Sequence, residues 1–461
     1  MNRELSIYVH IPFCARKCLY CDFLSFNAGK DVIESYFCAL EKEIELWEEK
    51  LNGREHHSKE YNYKELENKE FKDEEFEVIS IFFGGGTPSF VDSKYIARIL
   101  DQIKKHFKVR EDAEITIEAN PASAMYEKLR DYREAGINRL SIGAQSLNDE
   151  ELKRLGRVHD SKQFFETFEN ARKAGFDNIN IDVMSALPGQ SLGSYLETIR
   201  KVISLRPEHI SAYSLIIEEG TPFFDMDLEL PDEETDRRMY HETLQILGEN
   251  GYHRYEISNY ALGAEHAQRG GLESKPGGDS TTGEGCKSYC EYEDDSQFEC
   301  RHNKVYWRRG NYLGVGIGAA SMVENTRWSN TRNISEYIEA LKNVPDNGDN
   351  LSLIRRNVEE LDEKSQMEEF MFLGLRLMSG IDTGKFRECF GKEITDVYGD
   401  VITKYVKMGL LEKWYSHETG TTDGGKEIKE SGITAAPREM LRLTEKGLDV
   451  SNTVMADFLL D

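Results

Sequence analysis

Short runs of β-branched and aromatic residues alternate along the chain with longer stretches in which apolar positions return every three or four residues. The short runs at 78–83, 114–118, 139–142, 178–183 and 209–215 predict strands, and 93–107, 124–135, 161–174 and 192–205 predict the helices between them. An earlier apolar run at 7–13 reads as the first strand. Ile33, Phe37, Leu40, Ile44 and Trp47 then fall on one face of a helix over 32–51. Six βα units in the first 250 residues imply a parallel sheet with right-handed crossovers. That number falls short of the eight units of a closed barrel.

Two stretches break the alternation. Residues 52–76 carry dense mixed charge and few aliphatics, and 263–298 are rich in Gly, Ser and Glu; both read as insertions. The run from Asn311 to Met322 places glycines under apolar residues, as in a last strand packed closely on its neighbours. The domain it closes is taken as 1–325. A second domain, 326–461, is expected to be mainly helical, with helices at 333–344 and 357–378, the latter showing Phe370, Leu373 and Leu377 on one face. From 383 the order helix, helix, strand, polar loop at 416–436, strand, helix resembles a winged helix.

Charge and cysteine usage narrow the function. The 461 residues hold 58 Lys and Arg against 84 Asp and Glu, a net charge of −26, which argues against a phosphate backbone as partner. No apolar run reaches the roughly 18 residues of a membrane helix. The N-terminus runs straight into a strand without a signal segment, so the chain is expected in the cytoplasm, with its eight cysteines as ligands or buried thiols and not as disulfides. Cys38 and Cys389 lie in helical patterns and are expected in the core.

Three cysteines stand apart from these. Cys14, Cys18 and Cys21 form C-x3-C-x2-C directly after the first strand. Structural zinc wants four protein ligands, and no fourth Cys or His stands at the usual spacing. A [4Fe–4S] cube with one thiolate per iron would keep one iron for a ligand that is not protein. Polar residues also gather at the predicted C-terminal ends of the strands, where parallel sheets carry their sites. Gly84, Gly85 and Gly86 follow strand two and are expected to let a ligand approach the backbone and to offer it N–H groups. Glu118 and Asn120 end strand three, Gln145 ends strand four with Arg157 beyond it, and Asp182 lies in strand five. Such carboxylates and amides suit ribose hydroxyls and an adenine edge.

The cysteine spacing, with an aromatic before the last Cys, resembles the radical S-adenosylmethionine (SAM) superfamily. That resemblance implies an open partial (βα)6 barrel, a [4Fe–4S] cluster on Cys14, Cys18 and Cys21, and SAM on the open iron as the source of a 5′-deoxyadenosyl radical. YVHIPFC, FGGGTPS, EANP, NRLSIGAQS, LGRVH, DVMSALPGQ and YEISNYA resemble, more closely, the oxygen-independent coproporphyrinogen III oxidase family and its heme-chaperone branch. The match runs over about residues 5–325. It implies SAM contacts from Tyr8, Tyr20, Gly85, Gly86, Thr87, Glu118, Gln145, Arg157 and Asp182.

Two departures separate the branches. The oxidases resemble CxxxCxFCxC, whereas this chain has Phe23 at the place of the fourth cysteine. HNKVYW, His302 to Trp307, matches the HNxxYW motif of the chaperone branch. Both favour a heme chaperone, which implies heme as cargo, an acceptor protein and an electron donor. By the same resemblance His302, Tyr306 and Trp307 are candidate heme contacts, an imidazole being an axial ligand and the aromatics lying against a porphyrin. On the residues alone, His302 is also readable as a buried structural histidine, and Cys300 as a thiolate ligand or, in preference, a small buried side chain. Cys286 and Cys290 form a second C-x3-C, read as incidental thiols in a loop in preference to an auxiliary metal site. The rival to the chaperone is the oxidase itself, abstracting hydrogen from propionate side chains before decarboxylation. Whether SAM is cleaved stays open between them.

Overall fold

The computed structural model describes residues 3–52, 75–263, 297–342, 350–416 and 437–460. The two expected insertions, Cys286, Cys290 and nearly all of the polar loop at 416–436 lie outside the described residues. Strands β1 (Arg3–Ile11), β2 (Phe76–Gly85), β3 (Lys108–Ala119), β4 (Arg139–Gln145), β5 (Ile179–Ser185) and β6 (His209–Ser214) lie side by side in chain order, all parallel. Helices α1 (Lys30–Asn52), α2 (Ser93–His106), α3 (Tyr126–Ala135), α4 (Asp149–Arg154), α5 (Ser161–Lys173) and α6 (Leu192–Ser204) fill the connections. Most match the predicted elements to within a few residues, but β3 starts six residues before the expected 114 and α4 had not been predicted. The strands are buried on both faces, since helices cover one side and the barrel interior the other; in β4 Leu140, Ile142 and Ala144 share one face, and the polar Arg139, Ser141 and Gln145 share the other.

The sheet does not close. Beyond β6 lies the hairpin of β7 (Tyr252–Glu256) and β8 (Asn259–Leu262), which follows α7 (Glu233–Glu249). Between this hairpin and the next strand comes α8 (Arg301–Trp307). On the other edge β9 (Tyr312–Val315) pairs parallel to β1, and β10 (Ala320–Val323), β11 (Thr326–Asn330) and β12 (Arg355–Glu360) continue antiparallel, making twelve strands among the described residues. A partial barrel of six units is therefore present, widened at both edges by hairpins in place of closure.

The structure differs from the sequence reading at three points. The sheet runs on to Glu360, and Trp328, Tyr337, Leu341 and Ile354 pack into the same core as the barrel. A separate core starts only at Met367, so packing divides the chain after β12 and not at 325. Trp328 stacks on Trp47 of α1 at 4.9 Å between ring centroids, which ties the late strands to the first helix. The expected helix from 357 begins instead at Glu363, capped by Asp362, because 355–360 complete the sheet edge. Cys38 and Cys389 are exposed, each on the outer face of its helix, and not in the core.

The C-terminal body holds helices at Glu363–Gly374, Thr383–Phe390 and Ile394–Lys407, then strands Leu411–Ser416 and Arg438–Leu443 paired antiparallel, with two short helices, Glu445–Leu448 and Ser451–Ala456, after them. The winged-helix order is thus present. The body is stitched to the barrel beside α8: Met378 N donates to Tyr255 O (2.9 Å), Glu369 receives Arg309 (3.0 Å) and Arg327, and the Arg376 guanidinium lies 4.3 Å from the Trp307 ring.

Candidate functional site

The loop after β1 is pinned from three directions. His10 Nε2 sits 2.9 Å from Leu24 O, Phe26 N donates to Pro12 O (2.9 Å), and Cys14 N donates to Phe26 O (3.0 Å). On the far side Leu19 N donates to Leu155 O (3.1 Å) and Arg16 Nη2 to Gly156 O (2.8 Å). The loop is thereby held over the C-terminal ends of the strands, and Cys14, Cys18 and Cys21, all free thiols, line one cavity of about 390 Å³.

Strand register assembles the rest of that cavity. Glu118 pairs with Ser141, Ser141 with Asn180, Gly143 with Asp182, and Asp182 with Ser211, so alternate residues of four strands form rows on the inner face. Tyr20, Gly85, Gly86, Thr87, Glu118, Gln145, Arg157 and Asp182 all line the cavity; of the nine expected SAM contacts only Tyr8 does not. Tyr8 stands behind the wall, its hydroxyl 3.2 Å from His10 Nδ1. The Arg157 guanidinium reaches across, donating to Gly143 O (2.7 Å) and to Cys18 Sγ (3.7 Å). Burial pushes the Cys14 thiol up and the Cys21 thiol up to about 11.

Burial also pushes the Glu118 carboxyl up to about 8, helped by the neighbouring Asp182 and opposed by the hydrogen bond that Gly85 N donates to Glu118 Oε2 (3.2 Å). Asp182 rises for the same first reason. Asn180 Nδ2 (2.7 Å) and Ser141 Oγ (3.2 Å) donate to it and hold the rise down. Gln145 keeps a left-handed backbone (φ 63°) at its strand end and accepts from Tyr213 Oη (3.1 Å).

The glycine run works differently from expectation. Gly86 N donates to Ile11 O (2.8 Å), Thr87 N to Phe13 O (2.9 Å), and Gly85 N to Glu118, so these N–H groups are spent inside the protein. The glycines are needed for close packing: Gly85 has φ 111°, and a Cβ there would lie 2.5 Å from the His10 ring. Thr87 Oγ1, 3.1 Å from Cys14 Sγ, is what the run presents to the cluster loop.

His302 is not in the cavity wall. The ring is 2% exposed, stacks on Phe82 at 5.1 Å, and has Nδ1 2.9 Å from Ser80 Oγ and Nε2 3.0 Å from Tyr306 Oη. Burial lowers its pKa to about 3, so the imidazole is neutral, and both nitrogens are engaged. Trp307 lies under Arg376 at the C-terminal body. Cys300 is buried, as expected, with its thiol donating to Glu114 Oε1 (3.4 Å). Ser141, Asn180, Ser211, Tyr213, Arg139 and Asn303 line the cavity without having been singled out. For Ser141 and Asn180 the signal was strand parity, since they lie four residues before Gln145 and two before Asp182 on the same strands.

Among the described residues no three His, Cys, Asp or Glu side chains converge as a single metal ion requires. A four-iron cube does not ask for that, since its ligands bind separate irons. Three free thiols on one wall, two of them hydrogen-bonded by Thr87 and Arg157, fit such a cluster, and the polar rows below them fit a SAM-sized ligand.

Residues 8–202 match the Radical SAM superfamily and 361–414 the HemN C-terminal domain. The chain is 31% identical to the heme chaperone HemW of Lactococcus lactis over 466 residues, covering 100% of this chain and 99% of that protein. The chain belongs to the HemW family. Its likeness to HemW of Bacillus subtilis is 33% over 413 residues, 88% of this chain and 92% of that one. Among solved structures, coproporphyrinogen III oxidase (HemN) from Escherichia coli, a radical SAM enzyme, superposes with a TM-score of 0.71 at 21% identity, covering 99% of this chain and 90% of that one. At that identity the oxidase speaks for the fold, which HemW proteins therefore share with an enzyme. Among the described residues no helix is long and apolar enough to cross a membrane.

Proposed function

We propose that this protein is a heme chaperone that carries a [4Fe–4S] cluster on Cys14, Cys18 and Cys21, binds SAM exchangeably at the open iron, and passes heme to an acceptor protein. The observation that carries the reading is the full-length similarity to proteins named heme chaperone HemW. Phe23 supports it, standing 65% exposed on the cavity rim where the oxidases resemble one another in a fourth cysteine. When bound, the cluster with SAM supplies one-electron chemistry. The chain's own share is to position: Thr87 and Arg157 at the thiols, Glu118 and Asp182 as acceptors for a cationic ligand with hydroxyls, Gln145 and Tyr213 as a hydrogen-bonded pair at the rim. His302, Tyr306 and Trp307 remain candidate heme contacts through the family motif, but iron ligation by His302 requires its ring to leave both Ser80 and Tyr306. The reading places the protein in a reducing compartment, the cytoplasm, where the three thiols stay unpaired.

The test is an anaerobic assay on the cluster-reconstituted protein with SAM, reductant and coproporphyrinogen III, beside a heme titration. Saturable uptake near one heme per chain without turnover is expected. Conversion of coproporphyrinogen III to protoporphyrinogen with release of CO2 would replace the chaperone by the oxidase.

A further inference from the structure

The cavity under the cluster loop does not end at the strand termini. Arg139 is the first residue of β4 and shares its inner face with Ser141, Gly143 and Gln145, so the lined space follows the strand inward for about 20 Å. Arg139 is 2% exposed. Among the described residues no hydrogen bond or ion pair reaches its guanidinium, and its Nε is buried without a partner. The two carboxylates whose charge reaches it, Glu114 and Asp182, are already satisfied by other donors. Glu114 accepts from Arg301 N (2.9 Å), His302 N (3.1 Å) and the Cys300 thiol, while Asp182 accepts from Asn180 and Ser141. Asn303, the next residue of α8 after His302, lines the same space, and its side-chain amide likewise bonds to no described group. A buried guanidinium without acceptors is costly, and its planar fork matches a carboxylate.

We propose that Arg139 and Asn303 form an inner subsite of this cavity that takes a ligand carboxylate. Within the HN pair of the chaperone motif, it is then the asparagine that meets the ligand, while the histidine holds α8 to β2. A carboxylate can come from a tetrapyrrole propionate or from an amino-acid-like ligand such as SAM. The propionate is favoured, because Arg139 lies further inward along β4 than Ser141 and Gly143, the register partners of Glu118 and Asp182, and so on the side of these SAM-like residues away from the cysteine loop. The propionate arm rests on the heme reading above.

The experiment titrates full-length, cluster-reconstituted protein with four probes: hemin, hemin dimethyl ester, SAM and decarboxylated SAM. Wild type is expected to prefer hemin to its diester. Arg139→Gln should weaken hemin about tenfold or more while leaving diester and SAM unmoved, and Asn303→Ala should do the same to a lesser degree. The same contrast between SAM and decarboxylated SAM, in place of the hemin pair, keeps the subsite and assigns its carboxylate to SAM. Equal losses with and without the carboxyl group, or no change in any probe while cluster absorbance and thermal transition stay wild-type, overturn it. Failure of wild type to bind hemin at all sinks the heme reading instead, and the SAM pair then decides the subsite. Should Arg139→Gln not fold, Asn303→Ala carries the same comparison.

Discussion

The cluster loop and α8 are the two stretches in which the motifs concentrate, and the protein treats them in opposite ways. Around Cys14, Cys18 and Cys21 the backbone is hydrogen-bonded at Cys14, Leu19, Cys21 and Phe26 while the three thiols line the cavity. At α8 the motif's histidine is consumed: Ser80 and Tyr306 hold both nitrogens, and Glu114 holds the helix's first N–H groups. A pinned backbone with free side chains is the condition for binding. A side chain with every polar atom paired in the interior is the condition for a structural joint.

The sharpest way to break this contrast is to remove one thiol from each region. Cys18→Ser should abolish the chromophore of the reconstituted cluster, whereas Cys300→Ser should leave it intact; a Cys18 variant that keeps its absorbance would remove the central premise. Next in size is Gly85→Ala. With φ at 111° and a Cβ 2.5 Å from His10, it should cost about 2–3 kcal/mol and lower the melting temperature, with SAM affinity falling as Glu118 is displaced.

His302→Ala should cost about 2 kcal/mol, by stranding Ser80 and Tyr306, and leave heme stoichiometry unchanged. Loss of heme uptake in a variant shown to be folded would mean the ring swings out to the iron. The sign of the pH effect is set by the depressed pKa of His302. Its stabilisation is present above pH 6.5 and is lost as pH falls toward 3, where the buried ring must charge, so the acid limb of a stability profile should be shallower in His302→Gln.

The smallest effect concerns Glu118. Held near 8 by burial, it is largely protonated at neutral pH, and a cationic ligand should ionise it. SAM binding is therefore expected to release up to about one proton near pH 7, seen as a buffer-dependent enthalpy, and Glu118→Gln should remove that dependence.

Much of this was legible in the chain. The six strands and their helices stand where apolar periodicity placed them, because each is long enough for its buried face to repeat. The departures have particular causes. Residues 355–360 alternate charge with one valine and look helical beside 361–378, yet they pair with β11 at an exposed edge, where polar strands are tolerated. Cys38 and Cys389 belong to helices whose apolar stripe is complete without them. Eight of the nine residues expected at the ligand line the cavity because strand ends in a parallel sheet face one place, whereas Tyr8 lies outside the lining, against Gly84.

By itself the sequence determined the three-cysteine loop, the parallel order and which polar residues stand at the strand ends, since spacing, period and position along the chain are local properties that a parallel sheet brings to one cavity. Only the tertiary structure decided that the glycine N–H groups are spent inside, that His302 is tied at both nitrogens, and that Arg139 lies buried with none. Each of those depends on hydrogen-bond partners from elsewhere in the chain, 222 residues away for Ser80 and His302. No local pattern records whether a polar atom will find its partner across such a distance.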